Sequence, residues 1–327
     1  MSSDFKTCVI FGGTGYIGLR WAKRLAAQKA FQRIILADIR TPKSALPAQS
    51  EYISCDIRNP IKPQMPEVSP DWIFNFAAVH REPGHAKQEY FDTNLPGARN
   101  ICQFAEQTRC KNILFTSSIA VYGPTTGPTS ENSPLYPLTP YGISKMAAEL
   151  IHEAWWRSNL EQRLYICRPG VVYGGGDPGN ILRMIRAIKK GHFIFPGSKQ
   201  LRKSYAYIEG LLDSFEFVMG RTEKQIVYNY VEQETETLEN LVKITQELLG
   251  RKNVPTLTAP LPLLLGAAEV MQALTGGRSP IHPMRVRKAA SSTHIVPLVL
   301  KNLGFKFNYD FRLSLQNWRE KAPEDFS

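Results

Sequence analysis

The fragment CVIFGGTGYIG, residues 8–18, constrains this chain more than any other stretch. Four apolar residues of strand character run straight into Gly12, Gly15 and Gly18, and a helical pattern opens at Tyr16. Glycine at that spacing serves a tight strand-to-helix turn in which the backbone closely approaches both a neighbouring strand and a ligand. Such a turn aims the free N–H groups and the dipole of a helix N-terminus at an anion, a pyrophosphate above all. Gly12, Gly15, Tyr16 and Ile17 are therefore candidate pyrophosphate contacts. A plain glycine turn is the bland alternative, but Asp38 closes the next apolar run twenty residues past Gly18. A carboxylate there accepts from both hydroxyls of an adenosine ribose and repels a 2′-phosphate, which favours NAD. Arg40, two residues on, could pair with that phosphate instead and leaves NADP open. Asp56, in CDIRNP, is placed either to accept from an adenine amino group or simply to close a strand-end turn.

Short apolar runs at 6–11, 33–37, 72–76, 112–116 and 164–167 read as buried strands. The stretches 16–28, 91–107 and 141–158 between them have helical length and period. This alternation implies right-handed crossovers and an α/β fold: a Rossmann-type, doubly wound parallel sheet with helices on both faces. After Tyr173 the pattern loosens into a loop at 174–179, a basic helix at 180–190, short strands at 205–208 and 226–231, and a helix at 238–249 with Thr237 as N-cap. A proline- and leucine-rich segment (253–283) and a small packed end follow. The expected division is a dinucleotide-binding domain over 1–175, completed by 204–232, and a smaller C-terminal α/β substrate domain from 176–203 and 233–327.

The 327 residues are 43% hydrophobic and 21% charged, which excludes disorder and collagen-like repeats. Net charge is +11, from 40 Lys and Arg against 29 Asp and Glu, favouring anionic partners or merely a basic solvated surface. Five cysteines without a CxxC pair read as reduced thiols. The start shows no signal-peptide pattern, so a cytoplasmic protein is expected. Residues 261–270 are greasy but interrupted by Glu269, and far shorter than the ~18 residues of a membrane span. A buried or membrane-touching helix stays open there.

Tyr141 and Lys145 form YxxxK on one helix face. With 13 tyrosines such a match arises about once by chance. Ser118, in FTSSIAVYG at the carboxyl end of the 112–116 strand, makes it informative, because ligands of open parallel sheets bind at those ends. For Tyr141 to act as a base its pKa of ~10 must fall to near neutrality, worth ~4 kcal/mol. A neighbouring Lys145 ammonium and an oxidised nicotinamide both stabilise a phenolate. Ser118 would hold the reacting hydroxyl or carbonyl.

Taken together, FGGTGYIG, FNFAA, YFDTNLPGARN, FTSSIAVYG, PYGISKMAAE, CRPGVVYGGG and VYNYVEQETETLENL resemble the extended short-chain dehydrogenase/reductases, specifically their NAD-dependent nucleotide-sugar epimerase/dehydratase branch. The resemblance covers nearly the whole chain. It implies cofactor contacts at Gly12, Gly15, Gly18, Asp38, Asp56, Ile57, Ala77, Ala78, Asn94, Tyr141, Lys145, Pro169 and Val171, and a catalytic set of Ser118, Tyr141 and Lys145. It also implies a homodimer built on the helices that carry Asn94 and Tyr141. Ile119 and Ala120 stand where the family's 4,6-dehydratases have Asp and Glu, so dehydration lacks its acid and base. Asn75 replaces the His of HxAA. Val171 replaces an Asn that helps hold a substrate diphosphate, and Lys203, Ser204 and Tyr205 replace Arg–Asp–Phe/Tyr. Asn180, Arg202 and Lys203 remain substrate candidates. His80, in the distinctive loop HREPGH, could approach cofactor or sugar, or only cap backbone. Arg278, Arg285, Arg287 and Lys288 could clamp a diphosphate or be a solvated face. No metal-ligand cluster is present.

The reading these features favour is an NAD-dependent nucleotide-sugar 4-epimerase working through a transient 4-keto sugar, with Tyr141 as acid and base. An NAD(P)H-dependent 4-ketoreductase is the alternative, and a steroid-dehydrogenase-like oxidation a further one. A non-catalytic nucleotide- or RNA-binding module has no need of Ser–Tyr–Lys. No RNP-like or basic-aromatic repeat is present, so nucleic acid is not expected as a partner.

Overall fold

The computed structural model describes residues 6–125, 127–177, 179–251, 256–277 and 282–327. Its first half runs β1 (Thr7–Phe11), α1 (Tyr16–Ala27), β2 (Arg33–Asp38), β3 (Ser50–Ser54), β4 (Trp72–Asn75), α2 (Lys87–Thr108), β5 (Asn112–Thr116), α3 (Pro140–Ser158) and β6 (Arg163–Pro169). The chain continues through β7 (Val171–Tyr173), α4 (Asn180–Lys189), β8 (Ile194–Pro196), β9 (Tyr205–Tyr207), α5 (Ile208–Met219) and β10 (Gln225–Tyr230). It ends with α6 (Leu238–Leu248), β11 (Leu257–Ala259), α7 (Leu261–Leu274), α8 (Pro283–Ala290), α9 (Leu298–Asn302) and α10 (Phe311–Lys321).

Seven strands form one parallel sheet in the order β10-β6-β5-β4-β1-β2-β3. The doubly wound Rossmann sheet expected from the sequence is thus present. Alternate residues of each strand point to opposite faces. Cys8, Ile10, Leu36, Phe74 and Leu114 enter one core, against Trp21 and Leu25 of α1 and Phe215 of α5. Val9, Phe11, Ile35, Ile73 and Phe115 enter the other, against Ile101 and Phe104 of α2 and Trp155 of α3. Strands buried on both faces need apolar residues at every position, which is why they stand out as unbroken runs. All five cysteines are free and buried.

Two differences from the sequence reading have local causes. The strand expected to reach residue 208 stops at Tyr207, because Ile208 opens α5, whose apolar residues pack on the sheet. β3 escapes the buried-run criterion because it is an edge strand, with no fully buried residue in Ser50–Ser54. The 253–283 segment contains β11 and α7, while 253–255 and 278–281 lie outside the described residues. No helix among the described residues is long and apolar enough to cross a membrane.

Glu232, just past β10, is 5% exposed and takes the Tyr173 hydroxyl as a donor. Burial raises its carboxyl to about 8, and Asp310 and Glu236 add to the rise. The folded carboxyl keeps its proton up to about 8 whereas the ordinary value is 4.5. The folded state therefore binds the extra proton between those values, and stability falls as pH rises through that window. Glu232→Gln should abolish this slope. Thermal scans should show the variant melting about 3 °C or more above wild type on the alkaline side of the window, and together with it on the acid side.

Candidate active site

The carboxyl ends of the central strands bring the sequence candidates to one edge of the sheet. Gly12 follows β1, Asp38 ends β2, Asp56 and Ile57 follow β3, Ala77 and Ala78 follow β4, Ser118 follows β5 and Pro169 ends β6. Parallel register puts Phe11 beside Ala37 and Asn75, so the ends are level.

The glycine loop is built for close approach. Gly12 has φ +75°, and a Cβ there would lie 2.8 Å from the Ala77 amide nitrogen. A Cβ on Gly18 would lie 2.3 Å from the Gly12 carbonyl oxygen. Neither position admits a side chain without moving backbone. No side chain caps α1 and no acid lies in its first turn, so its leading N–H groups and positive dipole end face the cleft. Asp38, 6% exposed, accepts from the Thr14 amide at 3.2 Å and the Arg40 amide at 3.0 Å, placing its carboxylate beside the loop. The Arg40 guanidinium stays largely exposed, 3.5 Å from that carboxylate. An uncapped helix end, a glycine cradle and a carboxylate at the second strand end fit a dinucleotide. Asp56 is engaged by the Arg58 guanidinium, which holds its carboxyl below the usual range.

α3 positions the reactive pair. Thr139 caps it by accepting from the Gly142 amide, and Pro140 starts its first turn. Tyr141 and Lys145 then face the strand ends one turn apart. Ser118 faces Tyr141 closely enough to lower its hydroxyl, while its Oγ accepts from the Ala120 amide at 3.1 Å. Asn94 of α2 is buried and joins these parts. Its amide donates to the Ser144 hydroxyl at 2.9 Å, and its Oδ1 accepts from the Val79 amide at 2.9 Å. One side chain thus locks the loop after β4 to α3.

The electrostatics differ from the sequence expectation. Burial pushes Tyr141 up to about 12, with Glu82 and Tyr90 adding to the rise against the Ser118 hydrogen bond. The Lys145 ammonium lies 4.1 Å from the Phe115 ring centroid, and burial lowers it to about 7 against the pull of Glu149. Desolvation outweighs attraction at both groups because the floor of the site is apolar.

The remaining candidates scatter. His80 lies exposed in its loop beside the Ala78 carbonyl; desolvation lowers it, and Arg81, Lys145 and Arg40 act in the same direction. Val171 is 38% exposed on β7. The side chain of Asn180 accepts from Arg183 at 2.7 Å. The Arg202 guanidinium donates to the Thr235 carbonyl at 2.5 Å. Lys203, lowered to about 8 by burial, donates to the carbonyls of Lys288 and Ser291. Lys288 pairs with Glu82, Arg287 is exposed, and Arg278 lies outside the described residues.

Three groups were not singled out from the sequence. Glu82 reaches the Tyr141 hydroxyl electrostatically, from the HREPGH loop. Arg183 is lowered by burial and by the charge of Arg285, against the pull of Asp177. Arg168, in the RPGVVYG run, forms a buried pair with Glu149. Only the last had a signal, a lone arginine inside an apolar strand.

The sequence profile of the NAD dependent epimerase/dehydratase family matches residues 8–230. The chain belongs to that family. It is an NAD-dependent enzyme of the extended short-chain dehydrogenase/reductase type, as the motifs implied. Among relatives of this family, it is 31% identical over 244 residues to N-acetyl-alpha-D-glucosaminyl-diphospho-ditrans,octacis-undecaprenol 4-epimerase of Escherichia coli O157:H7, across 73% of each chain. It is 33% identical to UDP-glucose 4-epimerase of Lacticaseibacillus casei, across 44% of this chain and 45% of that enzyme. The UDP-N-acetylglucosamine 4-epimerase of Bacillus cereus superposes with TM-score 0.74 at 18% identity, covering 97% of this chain and 99% of that one. The Bordetella bronchiseptica enzyme WbmG, in complex with NAD and UDP, gives TM-score 0.75 at 18% identity over 99% and 97%. At those identities the structures speak for the fold.

Proposed function

We propose that this enzyme inverts C4 of a sugar carried on a diphosphate. What carries the reading is one juxtaposition: Tyr141 beside Ser118 at a strand end, Lys145 one turn away, and no acid at Ile119 or Ala120. The relatives named as 4-epimerases support inversion over net reduction. Gly12, Gly15, Tyr16 and Ile17 would hold the pyrophosphate of NAD, Asp38 its adenosine ribose, and Tyr141 and Lys145 the nicotinamide half. Bound NAD supplies the acceptor and returning donor of the C4 hydride, with a positive charge when oxidised. Tyr141 Oη takes the proton of the C4 hydroxyl, and Ser118 Oγ holds that oxygen in line. Once the 4-keto sugar has presented its other face, Tyr141 returns the proton to the same oxygen. Ile119 and Ala120 stand where 4,6-dehydratases have Asp and Glu, so elimination of water lacks the acid and base it would use.

The segments 176–203 and 233–327 form the substrate side in this reading. Arg202 and Lys203 are engaged by protein carbonyls, and Arg183 adds a further guanidinium on this side that could meet the substrate diphosphate. α2 and α3 would meet their copies across a two-fold axis, which covers Ile143 (37% exposed) and Leu150 (59% exposed) on α3.

The test is incubation with UDP-N-acetylglucosamine in deuterated water, followed by NMR. An epimerase yields the 4-epimer with protium retained at C4, because the hydride returns without exchanging with solvent. Stoichiometric oxidation of NADH or NADPH on a 4-keto sugar, without inversion, would replace this reading with a reductase.

A second reading concerns the carrier. The relative matched over 73% of both chains acts, by its name, on a sugar joined by diphosphate to undecaprenol. That likeness favours a polyprenyl diphosphate over a nucleotide.

A further inference from the structure

α7 is laid out in reverse for a surface helix. Its sequence LPLLLGAAEVMQAL holds a single charge, Glu269, yet Ala268 is its only buried residue. Leu263, Ala267, Val270 and Leu274 follow one another at intervals of four, three and four, so they form one stripe along the helix. That stripe points outward. Leu263 is 67% exposed, Val270 57% and Leu274 77%, with Met271 beside them at 39%. The apolar surface continues onto neighbouring elements. Leu257 of β11 (70% exposed) is paired in register with Ile194 of β8 (45% exposed), and Met284 lies on α8, which packs against α7. Monomeric soluble proteins rarely show a contiguous apolar patch of this kind without a partner for it.

Charge identifies the partner. Among the described residues of this region, α8, which packs against α7, carries Arg285, Arg287 and Lys288, against Glu269 alone on α7. An apolar helix face flanked by cations matches the boundary of an anionic bilayer, where acyl chains take the stripe and headgroups take the charges. A protein partner would not need so one-sided a surround. Position connects the patch to the chemistry. Lys288 of α8 grips Glu82, and Glu82 is within electrostatic reach of the Tyr141 hydroxyl. The α7–α8 pair therefore borders the mouth of the site.

We propose that the α7 stripe seats the enzyme on an anionic membrane surface, with the exposed Arg287 of α8 toward the headgroups, so that a sugar diphosphate on a membrane-held polyprenol enters beside Glu82. This inference rests on the polyprenyl reading of the substrate given above. The test uses the full chain loaded with NAD, as wild type and as Leu263→Glu/Leu274→Glu, two exposed positions whose substitution leaves the core intact. Flotation with phosphatidylcholine–phosphatidylglycerol vesicles should recover the wild type, and the variant should bind about tenfold or more weakly. Turnover is read on two substrates: an N-acetylglucosaminyl diphosphate on a short, water-soluble prenol, and the same head on undecaprenol in those vesicles. The variant should match wild type on the first and lose about tenfold or more on the second.

A wild type that stays off phosphatidylglycerol vesicles, or binds neutral ones equally well, overturns the docking whatever its turnover. A wild type that floats yet epimerises neither substrate overturns the substrate reading instead. If sedimentation shows that the variant has lost a dimer the wild type forms without lipid, the stripe is a contact between copies and the proposal fails.

Discussion

Tyr141→Phe should lower the turnover number for C4 inversion by about 10³-fold while leaving NAD bound. The substitution removes one oxygen and keeps the ring, which lies 6.2 Å from the ring of Tyr90 and packs under the HREPGH loop. What is lost is the hydroxyl beside Ser118 that would exchange a proton with the substrate. The glycine loop and Asp38 are untouched, so cofactor occupancy by native mass spectrometry should equal that of wild type. Unfolding midpoints should also agree, because the hydroxyl is neither a helix cap nor part of the sheet. Ser118→Ala should cost less, since Oγ positions the reacting oxygen but carries no proton away. Lys145→Met probes a separate role. Its ammonium lies over the Phe115 ring, so the variant should lose nicotinamide positioning before it loses proton transfer. A Tyr141→Phe enzyme retaining a tenth or more of wild-type turnover would remove the tyrosine from the chemistry.

How much of this was legible in the sequence depends on the range of each interaction. β1, β4 and β5 declare themselves because both faces are buried and every residue must be apolar. The cofactor cradle is legible because Gly12, Gly15 and Gly18 act within one turn, with Asp38 a fixed crossover away. Ser118 and Tyr141 are legible through their level positions at one sheet edge. Glu82 is not, since its effect on Tyr141 comes through space from a loop with no periodic pattern. Nor is the commitment of Lys203 to carbonyls 85 and 88 residues away. Hydropathy marks 261–270 as greasy but does not say which side of α7 faces outward. That depends on where α8 and the β8–β11 pair pack.

The ion pair of Arg168 and Glu149 should carry the largest stability effect in the molecule. Arg168 Nε and Nη2 donate to the two Glu149 carboxylate oxygens at 3.0 and 2.7 Å, with both side chains almost wholly buried. Its Nη1 donates to the Tyr122 hydroxyl at 2.9 Å, and that hydroxyl donates to Asn229 Oδ1 at 2.8 Å. The network thus ties β6, α3, the turn after Ser118 and β10 together. Glu149 lies one turn beyond Lys145 on α3, so the same tie holds the face that carries Tyr141 against the strand ends. Removing either partner leaves the other charged, desolvated and unmatched. Arg168→Met or Glu149→Ala should each cost about 3–5 kcal/mol in urea unfolding. The pair Arg168→Met/Glu149→Leu should recover most of that loss, because no orphan charge remains and the volume is refilled. Its activity should not recover in step, since Tyr122 has lost its donor and α3 its lateral hold, so the turnover number stays depressed while stability returns. That split separates what the pair does for the fold from what it does for the site. Singles costing under about 1 kcal/mol would mean that water reaches both groups and the tie is a surface pair.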